Sequence, residues 1–236
     1  MFTKEHTAKM YDQDLEDIRK RVLFMGGLVE NQIGAALAAF CESNVDKADC
    51  VYKEDYKVNA LEVAIDLECS QIIARRQPAA VDLRMLMGIS KIVTDLERSG
   101  DEAAKIARMT RKIYGCDTCP CLRDVREMGS LAIRMLCDAI NAFSSMDAVE
   151  AANIVREDLE LDVKFKGIIR QLITFVMEDH RIISSAMEVM FIVKGLERIG
   201  DHAKNIAEQV IYIIRGTDVR HVSLDRLELE AKGNSE

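Results

Sequence analysis

The sequence predicts an all-α fold built from two tandem three-helix bundles, and three observations carry this prediction. Helix-forming residues dominate the composition, with two prolines and no tryptophan among 236 residues. Apolar residues recur every three or four positions along extended stretches of the chain, which is the period of an amphipathic helix. The segment Leu96–Ala107 is identical to Leu196–Ala207 at eight of twelve positions. The repeated segment indicates an internal duplication of a helical unit.

The first unit divides into three long helices. Pro78 ends the second of them, because proline cannot continue a helix interior. The predicted second and third helices cover Asp46–Arg75 and Ala80–Tyr114. The first helix is predicted from its apolar stripe, which consists of Leu15, Ile18, Val22, Met25, Val29, Ile33, Ala36 and Phe40.

The second unit repeats this pattern after a break at Gly115–Leu122, where turn residues cluster. Most of the first stripe reappears at an offset of 103 residues, as Val125, Met128, Ala132, Leu136, Ala139 and Phe143. The offset falls to 100 in the third helix. We therefore predict six long helices in two bundles, residues 1–115 and 116–215, followed by a tail, 216–236. The tail is either loose or a short docking helix.

Charge and hydropathy exclude several classes of protein. The net charge is −8 with no basic block, so a nucleic-acid partner is not expected. We expect no membrane-spanning segment, because no apolar run approaches the roughly 20 residues that a spanning helix needs. The N-terminus lacks the apolar core of a signal peptide, so the protein is expected to be soluble and cytoplasmic. Seven cysteines scattered through helical patterns suggest reduced thiols.

Paired acidic residues distinguish both third helices. Glu97 and Asp101 lie four residues apart with Gly100 before the aspartate, and Glu197, Gly200 and Asp201 repeat the arrangement. Residues at this spacing project side by side from a helix. Like charges there repel, and a mid-helix glycine costs roughly 1 kcal/mol relative to alanine. A feature that is unfavourable in each copy, and present in both, calls for a functional explanation.

The second helix of each unit carries matching acids on its apolar stripe. Asp158 falls between Ile154 and Leu161, with Asp162 four residues on, and Asp55 with Asn59 is the counterpart in the first unit. If these helices face the third helices, four oxygen-bearing side chains converge in each bundle. Such a set suits a hard divalent or trivalent cation, in a site open to solvent. The alternative is a solvated acidic face neutralised by Arg98, Lys105, Arg198 or Lys204.

Three segments of the sequence resemble one known protein family. The segments LERIGDHAKNIAE (Leu196–Glu208), LERSGDEAAKIA (Leu96–Ala107) and RRQPAAVDLRML (Arg75–Leu86) closely resemble the PhoU family of phosphate-signalling regulators. The resemblance extends from roughly residue 12 to residue 215. It implies two tandem three-helix bundles, often dimeric, that bind multinuclear iron or zinc through Glu/Asp-x-x-x-Asp motifs on the bundle surface.

The resemblance also implies a cellular role. PhoU-like proteins repress the phosphate-starvation response when phosphate is plentiful. They act as adaptors between the phosphate ABC transporter, through its ATPase subunit, and the sensor histidine kinase. They do this as soluble proteins, peripheral to the inner face of the membrane.

Carried onto this sequence, the metal candidates are Glu97, Asp101, Asp158, Asp162, Glu197, Asp201 and Asp55. Asn59 stands where the second copy has an acid, so we expect the first site to be the weaker. The cysteines of the linker, Cys116, Cys119 and Cys121, are no part of the family pattern and are expected to be an incidental thiol cluster. His202 is expected to be solvated on its helix.

Two other functions stay open on the residues alone. One is a carboxylate-bridged di-metal enzyme in a helical bundle, although the sequence contains no Glu-x-x-His motif of the kind such bundles use. The other is a metal-free structural spacer. No catalytic nucleophile, phosphate loop or dinucleotide fingerprint appears, which favours a non-enzymatic regulator.

Overall fold

The computed structural model describes residues 2–113 and 121–233, with side chains described from Tyr11 onward. The described residues form helices and no strands, which confirms the all-α prediction. The helices are α1 (Phe2–Cys41), α2 (Val45–Glu54), α3 (Tyr56–Arg76), α4 (Ala80–Ile113), α5 (Leu122–Ser145), α6 (Ala148–Glu178), α7 (Ile183–Arg215) and α8 (Leu224–Lys232). A 3-10 turn, His180–Ile182, joins α6 to α7.

The second helix of each repeat starts from the same signal. The side chain of Asn44 accepts a hydrogen bond from the backbone N–H of Lys47, and Asp147, 103 residues later, accepts from Val149 and Glu150. Each cap satisfies backbone donors that the first turn leaves without partners. The duplication therefore reaches the capping residues as well as the core.

The predicted single helix Asp46–Arg75 is interrupted at Asp55, between α2 and α3. The backbone at Asp55 keeps helical angles, φ −53° and ψ −36°, so the interruption is local. Its side chain accepts a hydrogen bond from Gln32 Nε2 of α1 at 2.7 Å. The equivalent of Gln32 in the second repeat is Met135, which offers no such donor, and α6 runs uninterrupted through Asp158.

Helix α1 bears on the expectation that the chain has no membrane-spanning segment. Among the described residues, the part of α1 from Tyr11 to Cys41 is long and apolar enough by length and composition alone. Large apolar residues and alanines raise its mean hydropathy, but Glu30, Asn31 and Gln32 interrupt the apolar run. Its stripe, including Val22, Met25, Val29 and Ile33, is fully buried against the other helices, as in the core helix of a bundle.

The two repeats pack along matching pairs of helices, α4 on α7 and α1 on α5. Where α1 packs on α5, each helix has a glycine in close contact with a large side chain of the other helix. A Cβ atom at Gly26 would lie 3.1 Å from the Ile140 side chain, and one at Gly129 would lie 2.7 Å from that of Leu37. The buried apolar residues of both repeats form one continuous cluster. Whether residues 1–115 and 116–215 are separate domains stays a prediction.

The tail, residues 216–236, contains a short docked helix, α8. Of the two alternatives predicted for it, the docking helix is the one found. Leu227 and Ala231 of α8 are buried, and the helix lies against α6. Arg156 of α6 pairs with Glu228, and Arg215 donates hydrogen bonds to the carbonyl oxygen of Ala231. These contacts hold α8 beside the second helix of the second repeat.

Candidate functional site: two acidic edges

Each predicted acid pair lies on a third helix facing the second helix of its own repeat. We call the first acidic edge the set Gln32, Asp55, Asn59, Glu62, Glu97 and Asp101. The second acidic edge is the set Asp158, Asp162, Lys194, Glu197, Asp201 and Lys204. The predicted candidates thus divide between two matching places, one in each repeat.

The first acidic edge brings together carboxylates from two helices. Burial raises the pKa of Glu97 above its usual value, and the nearby charges of Asp101, Glu62 and Asp55 raise it further. A carboxylate whose pKa is raised by three others lies in a field that a cation would relieve. The structure therefore assembles Glu97, Asp101 and Asp55 as the sequence predicts, and adds Glu62.

Two amide oxygens of this edge are buried without a hydrogen-bond donor. These are Gln32 Oε1 and Asn59 Oδ1. Gly100 faces these oxygens. If residue 100 carried a Cβ atom, that atom would lie 3.0 Å from Gln32 Oε1 and 3.7 Å from Asp55 Oδ1. A buried acceptor without a donor is unfavourable unless another electropositive group approaches it. The donor set of carboxylate and amide oxygens fits a hard cation.

The second acidic edge is compensated by lysines. Lys194 Nζ lies 2.5 Å from Glu197 Oε2, and Lys204 Nζ lies 2.8 Å from Asp158 Oδ2. Burial raises the pKa of Asp201, as do Glu197 and Asp158, while the two lysines oppose that rise. Asp162 is half exposed and pairs with Lys166 on its own helix at 3.5 Å. The neutralisation by Lys204 that the sequence offered as an alternative is therefore present here.

The side chains stand too far apart to ligate an ion without adjustment. Within residues 2–113 and 121–233, no group of three or more His, Cys, Asp or Glu side chains is placed so that it could hold a metal ion. Ion binding at either edge would require them to turn inward.

The expected solvent exposure of His202 is wrong, because α4 covers it. His202 Nδ1 lies 3.1 Å from Oδ1 of the buried Asp95, and Asn205 donates to the same oxygen at 3.3 Å. Arg198 donates across the same interface to the buried Glu102 at 3.1 Å. Arg198 and His202 therefore join the two repeats.

The cysteine prediction falls largely outside the described residues, which exclude Cys116 and Cys119. Cys121 is buried at the start of α5. Gln32, Glu62 and Lys194 belong to the two edges but were missed by sequence reasoning. A signal existed for Glu62, since it stands seven residues after Asp55 and therefore on the same helix face.

Fold and edges together define a class, the duplicated helical bundle with one acidic edge in each repeat. The PhoU domain model matches residues 22–110 and 125–210, which are the two repeats. The chain belongs to the PhoU family.

Curated relatives match almost the whole chain. The phosphate-specific transport system accessory protein PhoU homolog of Pseudomonas aeruginosa is 44% identical over 232 residues, covering 97% of this chain and 95% of that protein. The accessory protein PhoU of Escherichia coli is 43% identical, covering 95% of this chain and 93% of the relative. Full-length similarity of this kind includes both acidic edges.

Solved structures confirm the architecture. The crystal structure of PhoU from Pseudomonas aeruginosa superposes with a TM-score of 0.85 at 44% identity, covering 88% of this chain and 100% of that one. The phosphate transport system regulatory protein PhoU from Streptococcus pneumoniae gives 0.83 at 28% identity, covering 89% and 99%. The predicted fold is therefore confirmed.

Proposed function

We propose that this protein is a non-enzymatic negative regulator of phosphate uptake and phosphate-starvation signalling. The observation that carries the proposal is the similarity over nearly the full chain to relatives named as phosphate-specific transport system accessory proteins. The family model matches both repeats of the chain.

The proposed action is that of an adaptor between the ATPase subunit of a phosphate ABC transporter and a sensor histidine kinase. An adaptor needs a surface that its partners can bind. Where α6 ends and α7 begins, the second repeat exposes several large apolar side chains. These are Ile173, Met177, Ile183, Met187 and Phe191. Exposed clusters of this kind support a protein-binding role, and methionine suits adaptable contacts. A homodimer in the cytoplasm, peripheral to the membrane, is part of the same proposal.

The proposal includes metal binding in a structural or tuning role, and the buried amide oxygens that lack a donor at the first acidic edge support it most directly. A multinuclear iron site agrees with the oxygen donors of the first acidic edge better than zinc does, because protein zinc sites favour nitrogen and sulfur ligands. Other hard divalent cations suit the same donors. The bound ion would offset the repulsion among Glu97, Asp101 and Asp55 and hold α2, α3 and α4 together.

Deletion of the gene tests the proposal in the protein's own host. In abundant phosphate, we expect a secreted-phosphatase reporter to switch on in the deletion strain and to be silenced again by the restored gene. Growth without phosphate is the control, since the reporter should then be active in every strain. A reporter that stays off in abundant phosphate after deletion would contradict the regulatory role.

A further inference from the structure

We propose that the two acidic edges differ in function: the first binds a hard divalent cation, whereas at the second the chain's own lysines take the place of that cation. The inference rests on the metal-binding part of the proposed function and reverses the expectation, drawn from Asn59, that the first site is the weaker. The duplication makes the comparison direct, because each position of one edge has an equivalent position in the other repeat.

The first acidic edge has oxygen ligands and no lysine ion pair as close as those at the second edge. Among the described side chains, the nearest lysine nitrogen is that of Lys105, 4.0 Å from Asp101 Oδ2 and closer, at 3.0 Å, to Glu102. Thr94 donates to Glu62 Oε1 at 3.3 Å. Gln32 and Asn59 add the two buried oxygens that lack a donor. Four carboxylates and two amides thus gather at this edge, and the only lysine among the described side chains within 4.0 Å of one of these carboxylates is Lys105, which lies closer to Glu102.

The second acidic edge replaces these ligands at the same positions. In the second repeat, Met135 occupies the position of Gln32 and Phe165 that of Glu62. Likewise, Lys194 occupies the position of Thr94 and Lys204 that of Ala104. Lys194 lies over the ring of Phe165 at 5.3 Å from its centre and pairs with Glu197. A methionine and a phenylalanine remove two oxygen ligands, and two lysines supply two positive charges. The edge is therefore both poorer in ligands and already neutralised.

The space beside the helix glycine differs in the same way. A Cβ atom on Gly100 would meet the oxygens of Gln32 and Asp55, but one on Gly200 would overlap the Leu161 side chain at 2.0 Å. Gly200 therefore serves close packing of α6 on α7. A cation at the second edge would have to displace Lys204 from Asp158, which is buried, and the displaced ammonium would repel it.

Manganese binding to the purified full-length chain tests the inference. Mn²⁺ prefers oxygen ligands, and its binding can be followed by calorimetry and by electron paramagnetic resonance. We expect the double variant Glu97→Gln, Asp101→Asn to weaken binding by at least about tenfold, since a loss of 1.4 kcal/mol has that effect. The matched control is Glu197→Gln, Asp201→Asn, which should leave affinity and stoichiometry unchanged. Circular dichroism would verify that both variants keep the fold.

Three results would overturn the inference. They are no Mn²⁺ binding by the parent chain, equal losses in the two double variants, and a larger loss in the control. Binding is measured on the isolated chain, so any of these would leave the phosphate role to be decided separately by the reporter in cells.

A gain of binding provides a second test. Lys194→Thr with Lys204→Ala gives the second acidic edge the residues found in the first, Thr94 and Ala104. In the Glu97→Gln, Asp101→Asn background we expect this pair to restore measurable Mn²⁺ binding. No increase would show that the lysines are not what excludes the ion.

Discussion

Replacing Phe143 with alanine is expected to lower the free energy of unfolding by about 3–5 kcal/mol, the usual cost of removing a buried aromatic ring. Phe143 is fully buried in α5, which packs on α1 as well as on α6 and α7. Because the buried residues of both repeats form one cluster, the whole chain should unfold at lower denaturant in a single transition. Chemical denaturation followed by circular dichroism measures this directly.

The matched control for this prediction is Phe24→Ala. Phe24 is 61% exposed on α1, so its removal should change stability by no more than about 0.5 kcal/mol. Two separate transitions, only one of them shifted by Phe143→Ala, would show that the repeats unfold independently. That result would contradict the view that they share one core.

Replacing Glu208 with glutamine is expected to stabilise the protein in a pH-dependent way. Burial raises the pKa of Glu208 to about 7 from its ordinary 4.5, with Asp218 and Asp158 adding to the rise and Lys204 and Arg220 opposing it. Between those two values the folded protein holds a proton that the unfolded chain has released. Stability from this group is therefore lost as pH rises from 4.5 through 7.

Glutamine cannot ionise, so the variant avoids this loss. We expect Glu208→Gln to be more stable than the parent at pH 8 by on the order of 3 kcal/mol, and the difference to shrink toward zero near pH 4. The control Glu160→Gln removes an exposed carboxylate on α6 and should change stability little at either pH. Denaturation of the three proteins across this range decides the matter, and a gain that is independent of pH would contradict the assignment.

The helices and their order could be predicted from the sequence because the duplication reinforces each signal. The stripe containing Phe40 recurs around Phe143, and both stripes are buried as expected apart from Leu15, which is partly buried. Asn44 and Asp147 cap equivalent helices from equivalent positions. A pattern that appears twice at a fixed offset is difficult to produce by chance. The all-α fold therefore follows from local periodicity alone.

The packing of one repeat on the other could not be predicted in the same way. Asp95, Glu102 and His202 are polar, and by residue type they indicate a solvated helix face. In the fold they are largely covered where α4 meets α7, because they pair across that interface. Burial of polar residues depends on partners from another helix, which helix periodicity does not reveal.

Only some of the residues at the two acidic edges could be predicted, for a related reason. Spacing along one helix identifies Glu97 with Asp101, and Glu197 with Asp201. Gln32 reaches the first acidic edge from α1, and Lys204 reaches Asp158 from α7, so both depend on how helices are placed. Sequence reasoning found the acids but could not tell which edge carries its own cations.

The initial rate of radiolabelled phosphate uptake tests the central claim, that this protein restrains phosphate uptake, most directly. Cells grown in abundant phosphate would be compared with and without the gene, and with the gene restored. The account predicts faster uptake in the deletion strain and a return to the parental rate on restoration. Equal uptake in the three strains, with a working phosphate transporter, would contradict it.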